Sequence, residues 1–182
     1  MIRIFVAFPV MAELKSASLE LSEKNGLLSG IRWIPINNLH ITLFFIGEIE
    51  DRNLENVKNA ITISVEGQRS FILQYDSIVL KGVNRTSMIW AQFRKNEAYT
   101  QLSESIYNSV MEFMTITPTH KDPIPHCTLA RIKNETDITG IDTSVLLSKE
   151  TEICVDKVEL WQTKKNPEGV WYESLISIPL KS

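Results

Sequence analysis

The chain has 182 residues and a formal net charge of −3, with 19 Lys and Arg against 22 Asp and Glu, and it carries only three His, two Cys and seven Gly. Two cysteines make neither a disulfide framework nor a four-Cys zinc site, so Cys127 and Cys154 read as reduced thiols that pack. The acidic balance argues against a long grip on duplex nucleic acid, which needs many Lys and Arg, and the glycines form no phosphate-cradling loop motif, so any phosphate falls to side chains.

The opening MIRIFVAFPV is too short to span a membrane and lacks a basic flank and cleavage site. The protein is therefore expected in the cytoplasm, away from membranes. Ile2, Ile4, Val6 and Phe8 alternate with Arg3, Phe5 and Ala7 and stop at Pro9, which predicts a mostly buried strand. Met11, Leu14, Ala17 and Leu21 predict a helix closing in a left-handed cap near Asn25-Gly26. Strands follow at Ile31 to Ile34 and His40 to Ile46, separated by Pro35 and Asn37-Asn38. Leu54, Val57, Ile61 and Val65 mark a second helix for which Asp51 or Asn53 is the cap.

Phe71 to Leu80 and Met88 to Phe93 read as a hairpin with Gly82, Asn84 and Ser87 in its turn. Lys81, Arg85, Arg94 and Lys95 stand there without an acid between them, fit either to greet a strand end or to be scattered surface charge. Tyr99, Leu102, Ile106, Val110 and Phe113 give the clearest helical stripe, with Pro118 beyond its end. His126 to Ile132 is a strand, 134–149 is loop, and Thr151 to Thr163 and Val170 to Leu180 form a closing hairpin. This irregular mixture predicts an α+β fold with antiparallel sheets.

The chain is also self-similar. Shifted by 86 residues, Ile2 falls on Met88 and His40 on His126, and each half runs from strand through helix to a strand that begins H-x-T-L. On such strands His40 shares a face with Thr42, and His126 with Thr128, while Ile41, Leu43, Cys127 and Leu129 pack behind. A pseudo-twofold arrangement sets two imidazoles and two hydroxyls around one cleft. Histidine titrates near 6.5, so one ring donates a proton while the other accepts one, without metal. Threonine hydroxyls donate to phosphate oxygens as charge builds. The constellation suits a phosphodiester. His120 lacks the motif and reads as surface, and Cys127 points away from His126, against a thiol nucleophile.

Arg32-Trp33-Ile34-Pro35, the run Asn38 to Glu48 around His40-Ile41-Thr42-Leu43, and Pro123 to Arg131 around His126-Cys127-Thr128-Leu129 resemble the two-histidine (2H) phosphoesterase superfamily. More closely they are similar to its bacterial and archaeal RNA 2′,3′-cyclic phosphodiesterases, also known as 2′-5′ RNA ligases of the LigT type. The resemblance implies one domain over 1–182 in two pseudo-symmetric lobes, each an antiparallel sheet flanked by helices, with the active-site cleft between them. It further implies opening of a 2′,3′-cyclic phosphate to a 2′-phosphomonoester, with reversible 2′-5′ ligation in some members. His40 then acts as general acid on the departing 3′ oxygen, His126 as general base on water, and Thr42, Thr128 and Arg131 bind the phosphate. No cofactor and no metal is implied. The partners are RNA ends or tRNA fragments bearing the cyclic phosphate, met by a monomer.

Strict alternation sets Arg131 on the face opposite His126, so it reaches the cleft only if the strand bulges or the side chain wraps round the sheet end. Phe44 shares the face of His40 and reads as a base-stacking platform or as core, Trp33 carries the same ambiguity, and Arg32 beside it is a phosphate contact. Alternatives within the superfamily are a phosphodiesterase for 2′,5′-oligonucleotides or small cyclic nucleotides. Outside it stand a non-catalytic RNA-end binding module and, more weakly, a metal hydrolase, whose ligands the motifs do not supply.

Overall fold

The computed structural model describes residues 1–83, 86–115, 123–133, 140–144, 147–167 and 169–182. The sequence expectations for Asn84, Arg85, Pro118 and His120 lie outside them. In chain order the elements are β1 (Ile2–Pro9), α1 (Ala12–Lys24), β2 (Ile31–Trp33), β3 (His40–Ile49), α2 (Leu54–Val65), β4 (Phe71–Val83), β5 (Thr86–Phe93), α3 (Glu97–Val110), β6 (His126–Ile132), β7 (Glu152–Val155), β8 (Lys157–Asn166) and β9 (Gly169–Pro179).

Among the described residues these strands form one antiparallel sheet in the order β7-β4-β5-β6-β3-β1-β8-β9, with β2 also paired to β6. The two lobes are therefore the two halves of a single curled sheet. They meet where β3 pairs β6, and that ladder has one rung, Ile41 opposite Cys127. One face of the sheet carries the main core: Ile4, Val6 and Phe8 of β1, Ile41 and Leu43 of β3, Ile89 and Ala91 of β5, and Cys127, Leu129 and Ala130 of β6. Leu14 and Leu21 of α1, Val57, Ile61 and Val65 of α2, and Tyr99, Leu102, Ile106 and Val110 of α3 belong to the same core, so the helices cover this face. The opposite face has only a small apolar cluster, Phe5, Ala7 and Trp161 with Tyr172 against it. That second face is the one left open for a ligand.

Several local expectations change. Asn53 occupies the N-cap position of α2 as one of the two expected residues, but its side chain makes no cap bond; 51–53 form a 3₁₀ turn, and Asp51 pairs with the N-terminal ammonium at 2.6 Å. Asn25 closes α1 with φ −104, so no left-handed cap forms, and its buried amide donates to the Leu21 carbonyl. The β4–β5 hairpin is longer than the apolar runs, pairing as far as Val83 with Thr86. The predicted strand from Thr151 to Thr163 is two strands broken at Asp156: β7 pairs with β4 in one lobe and β8 with β1 in the other. Cys127 is buried as expected, but Cys154 is exposed.

The α3 cap is made: Asn96 Oδ1 accepts the Tyr99 backbone N–H at 2.9 Å. Asn96→Ala is expected to cost about 1 kcal/mol. Urea denaturation reads that loss as a lower midpoint at unchanged slope.

Candidate active site

Both H-x-T-L strands carry a β-bulge at the same position. Thr42 and Phe44 of β3 oppose Ala7 and Val6 with Leu43 between them, and Thr128 and Ala130 of β6 oppose Trp90 and Ile89 with Leu129 between them. A bulge opposes two residues to one and resets the alternation of side chains. Beyond Leu129, residues 130 and 131 therefore exchange faces, and Ala130 is buried while Arg131 is exposed. The bulge is the condition that strict alternation left unmet, and it brings Arg131 round to the face of His126. The same slip moves Phe44 the other way. Its ring packs against Tyr107 of α3 at 5.8 Å, on the helix side, so of its two readings the core one holds, and Phe45 takes the open face.

The duplication is real in the motif strands and displaced in the strands before them. Phe5 opposes Phe45 where Met88 opposes Arg131, an offset of 83 residues instead of 86. This registers Val6 with Ile89 and Phe8 with Ala91, all core residues. The sequence alignment of Ile4 with Trp90 matched a core position to a site position.

At the lobe junction, antiparallel pairing of Ile41 with Cys127 sets His40 beside Thr128 and Thr42 beside His126. Cross-strand neighbours lie about 5 Å apart and diagonal ones about 7–8 Å, so four polar side chains share one small patch of the open face. Each imidazole is tied in the same way. His40 Nδ1 lies 2.7 Å from the Asn38 carbonyl and His126 Nδ1 2.7 Å from the Ile124 carbonyl, both two residues upstream. A carbonyl only accepts, so each Nδ1 carries a proton and each Nε2 is left to a ligand. Among the described residues neither the Thr42 nor the Thr128 hydroxyl is taken by another group. Backbone bonds brace the motif from behind, where Tyr99 Oη donates to the Thr42 carbonyl at 2.6 Å and Ser103 Oγ to that of Leu43 at 3.0 Å.

Aromatic walls fix the rings. His40 lies among Phe5, Trp161 and Tyr172, with centroids at 5.0, 5.2 and 5.0 Å. His126 stacks on Trp90 at 3.6 Å with the planes 18° apart. Trp161 is held in turn, its indole N–H donating to Glu159 at 2.8 Å, and Glu159 also pairs with Lys157. Burial pushes His40 down to about 4, with the charges of His126 and Arg131 adding to it. His126 is lowered for the same first reason, with Lys81 contributing. Both rings are therefore neutral at pH 7 in the free protein.

Of the residues singled out in the sequence, His40, Thr42, His126, Thr128 and Arg131 come together on the open face. Arg32 joins them, directly opposite Arg131 across β2 and β6. Trp33 opposes Ala130 and packs against the main core, so it is structural. Phe5, Trp90 and Trp161 were missed as wall residues, although the alternation of Arg3, Phe5 and Ala7 against the apolar positions of β1 already separated Phe5 from the core. Among the described residues no group of His, Cys, Asp and Glu is arranged to hold a metal ion. No helix there is long and apolar enough to cross a membrane.

A family model described as LigT like Phosphoesterase matches residues 12–90. The chain is 25% identical, over 95% of its length and 92% of the relative's, to a Thermotoga maritima protein named RNA 2′,3′-cyclic phosphodiesterase. Among solved structures it is similar to TT0787 of Thermus thermophilus, with a TM-score of 0.81, 22% identity and 98% of each chain covered. It is also similar to E. coli LigT complexed with 3′-AMP, with a TM-score of 0.75, 18% identity, and 100% and 99% of the two chains covered.

Proposed function

We propose that this chain is a two-histidine phosphoesterase and that it opens RNA 2′,3′-cyclic phosphate ends to 2′-phosphomonoesters by acid–base catalysis between His40 and His126. The observation that carries this reading is the junction of the two H-x-T-L strands, where two imidazoles with free Nε2 atoms and two unengaged hydroxyls share one face. His126 Nε2 takes a proton from water as its oxygen attacks phosphorus. The bond from phosphorus to the 3′ oxygen breaks, and His40, protonated at both nitrogens once the phosphodiester anion is bound, gives its Nε2 proton to that oxygen. Thr42, Thr128 and Arg131 hold the non-bridging oxygens, where charge-assisted donors act most strongly. A 5′-hydroxyl in place of water gives a 2′,5′ linkage through the same proton transfers. The complex of E. coli LigT with 3′-AMP supports a nucleotide end as the ligand here.

The direct test is a short RNA ending in a 2′,3′-cyclic phosphate, incubated with the protein and EDTA. The expected product is the 2′-phosphate, identified by chromatography against both isomers. A 3′-phosphate product, or binding without turnover, would overturn the proposal, the latter in favour of an RNA-end binding module.

A further inference from the structure

One rung beyond Thr128, the open face carries a row of side chains that the chemistry above leaves largely unused. Arg32 of β2 opposes Arg131 of β6, Arg131 opposes Met88 of β5, and Met88 opposes Lys81 of β4. Opposed residues in a ladder share a face, so three cations lie in line across four strands with a methionine as the spacer. At about 4.8 Å between strands, the row spans about 14 Å of backbone. Arg131 Nη1 contacts Met88 Sδ at 3.8 Å, and Lys81 Nζ lies 5.9 Å from the Trp90 ring that backs His126.

Nothing described neutralises this row. Arg32, Arg131 and Lys81 form no ion pair with a described residue, while Lys24, Lys58, Lys157 and Lys164 each do. Like charges directly opposed, as in Arg32 and Arg131, oppose folding. A bound anion reverses that sign. The row also adjoins the histidines, since Arg131 depresses the protonation of His40 and Lys81 that of His126. One phosphate at the histidines engages Arg131 and leaves Arg32 and Lys81, the two ends of the row.

We propose that this row is a second phosphate subsite, and that it takes the internucleotide phosphodiester on the 5′ side of the cyclic end, making RNA of two or more nucleotides the substrate class. The inference rests on the activity proposed above. It requires a positively charged subsite one nucleotide upstream of the scissile group, read through charge and not through the identity of the base.

Three substrates separate the outcomes: a mononucleoside 2′,3′-cyclic phosphate, a dinucleotide with the same cyclic end, and that dinucleotide with a neutral methylphosphonate linkage. The wild-type protein is expected to turn over the charged dinucleotide with kcat/KM about tenfold above either of the others, the worth of one exposed charge-assisted contact. In Arg32→Ala that advantage falls towards one. Added salt erodes it in the wild type, as a phosphate contact requires. Equal rates on the charged and neutral dinucleotides overturn the second subsite while leaving the activity intact. Turnover of none of the three overturns the activity itself.

Discussion

Asparagine in place of either His40 or His126 is expected to lower the rate of cyclic-phosphate hydrolysis about 10²–10⁴-fold, the usual worth of a positioned acid or base. Both losses follow from the same local structure. Each ring is oriented by a bond from its Nδ1–H to a carbonyl two residues upstream, so its Nε2 points at the shared patch. The double variant should be little worse than the poorer single one, because an acid and a base that act on one displacement fail as a unit. The two roles separate by leaving group. A cyclic substrate with sulfur in place of the 3′ oxygen expels a thiolate that needs no proton, so it restores the His40 variant and leaves the His126 variant slow. Rescue of the His126 variant instead would exchange the roles, and rescue of neither would remove the acid–base pair from the mechanism. Steady-state kinetics on both substrates, with melting curves to show that each variant is folded, make the comparison.

The site was legible to the extent that it is written in the repeat. Two H-x-T-L segments at matched positions pointed to His40, Thr42, His126 and Thr128, because strand periodicity alone assigns residues two apart to one face. What periodicity misses is a bulge. Leu43 and Leu129 are ordinary buried leucines, and nothing in their type marks them as the extra residue in a strand. Yet their insertion removes Phe44 from the site and turns Arg131 towards it.

The offset of 83 against 86 between the halves has the same root. It is absorbed outside the motif strands, where a register shift of an odd number exchanges faces, so identity of residue type was a poor guide to Trp90 and Phe5. The break at Asp156 was hidden because Ile153, Val155, Val158 and Leu160 are all buried core positions. An unbroken apolar run does not show that its two halves pair with opposite lobes. The aromatic enclosure of His40 draws on β1, β8 and β9, three strands whose adjacency only the sheet order reveals.

The dependence on pH separates the empty site from the loaded one. Productive chemistry needs one imidazole protonated and the other neutral. In the free protein, burial favours the neutral form of both, with His40 pushed down to about 4 and His126 below its ordinary 6.5. The profile of kcat/KM, which reports the free protein, should be a bell whose basic limb lies below pH 6.5, with the two limbs belonging to the pair and not to either ring. A bound phosphodiester anion favours the protonated forms, so the bell for kcat is displaced to higher pH. A kcat/KM limb above 6.5, or coincident bells, would contradict this electrostatic picture. Stability moves with the same groups. The unfolded chain binds a proton to His40 near 6.5 and the folded one only near 4, so the unfolded state holds more protons in that window. The stability contributed by neutral His40 is complete above 6.5 and is lost as pH falls towards 4, at a slope of at most about 1.4 kcal/mol per pH unit for one group. Phosphodiester analogues that occupy the site should then protect most at the acid end. There their charge offsets the burial and the repulsion that keep the rings uncharged, and melting temperatures measured with and without such an analogue across pH 4.5 to 7.5 read that difference directly.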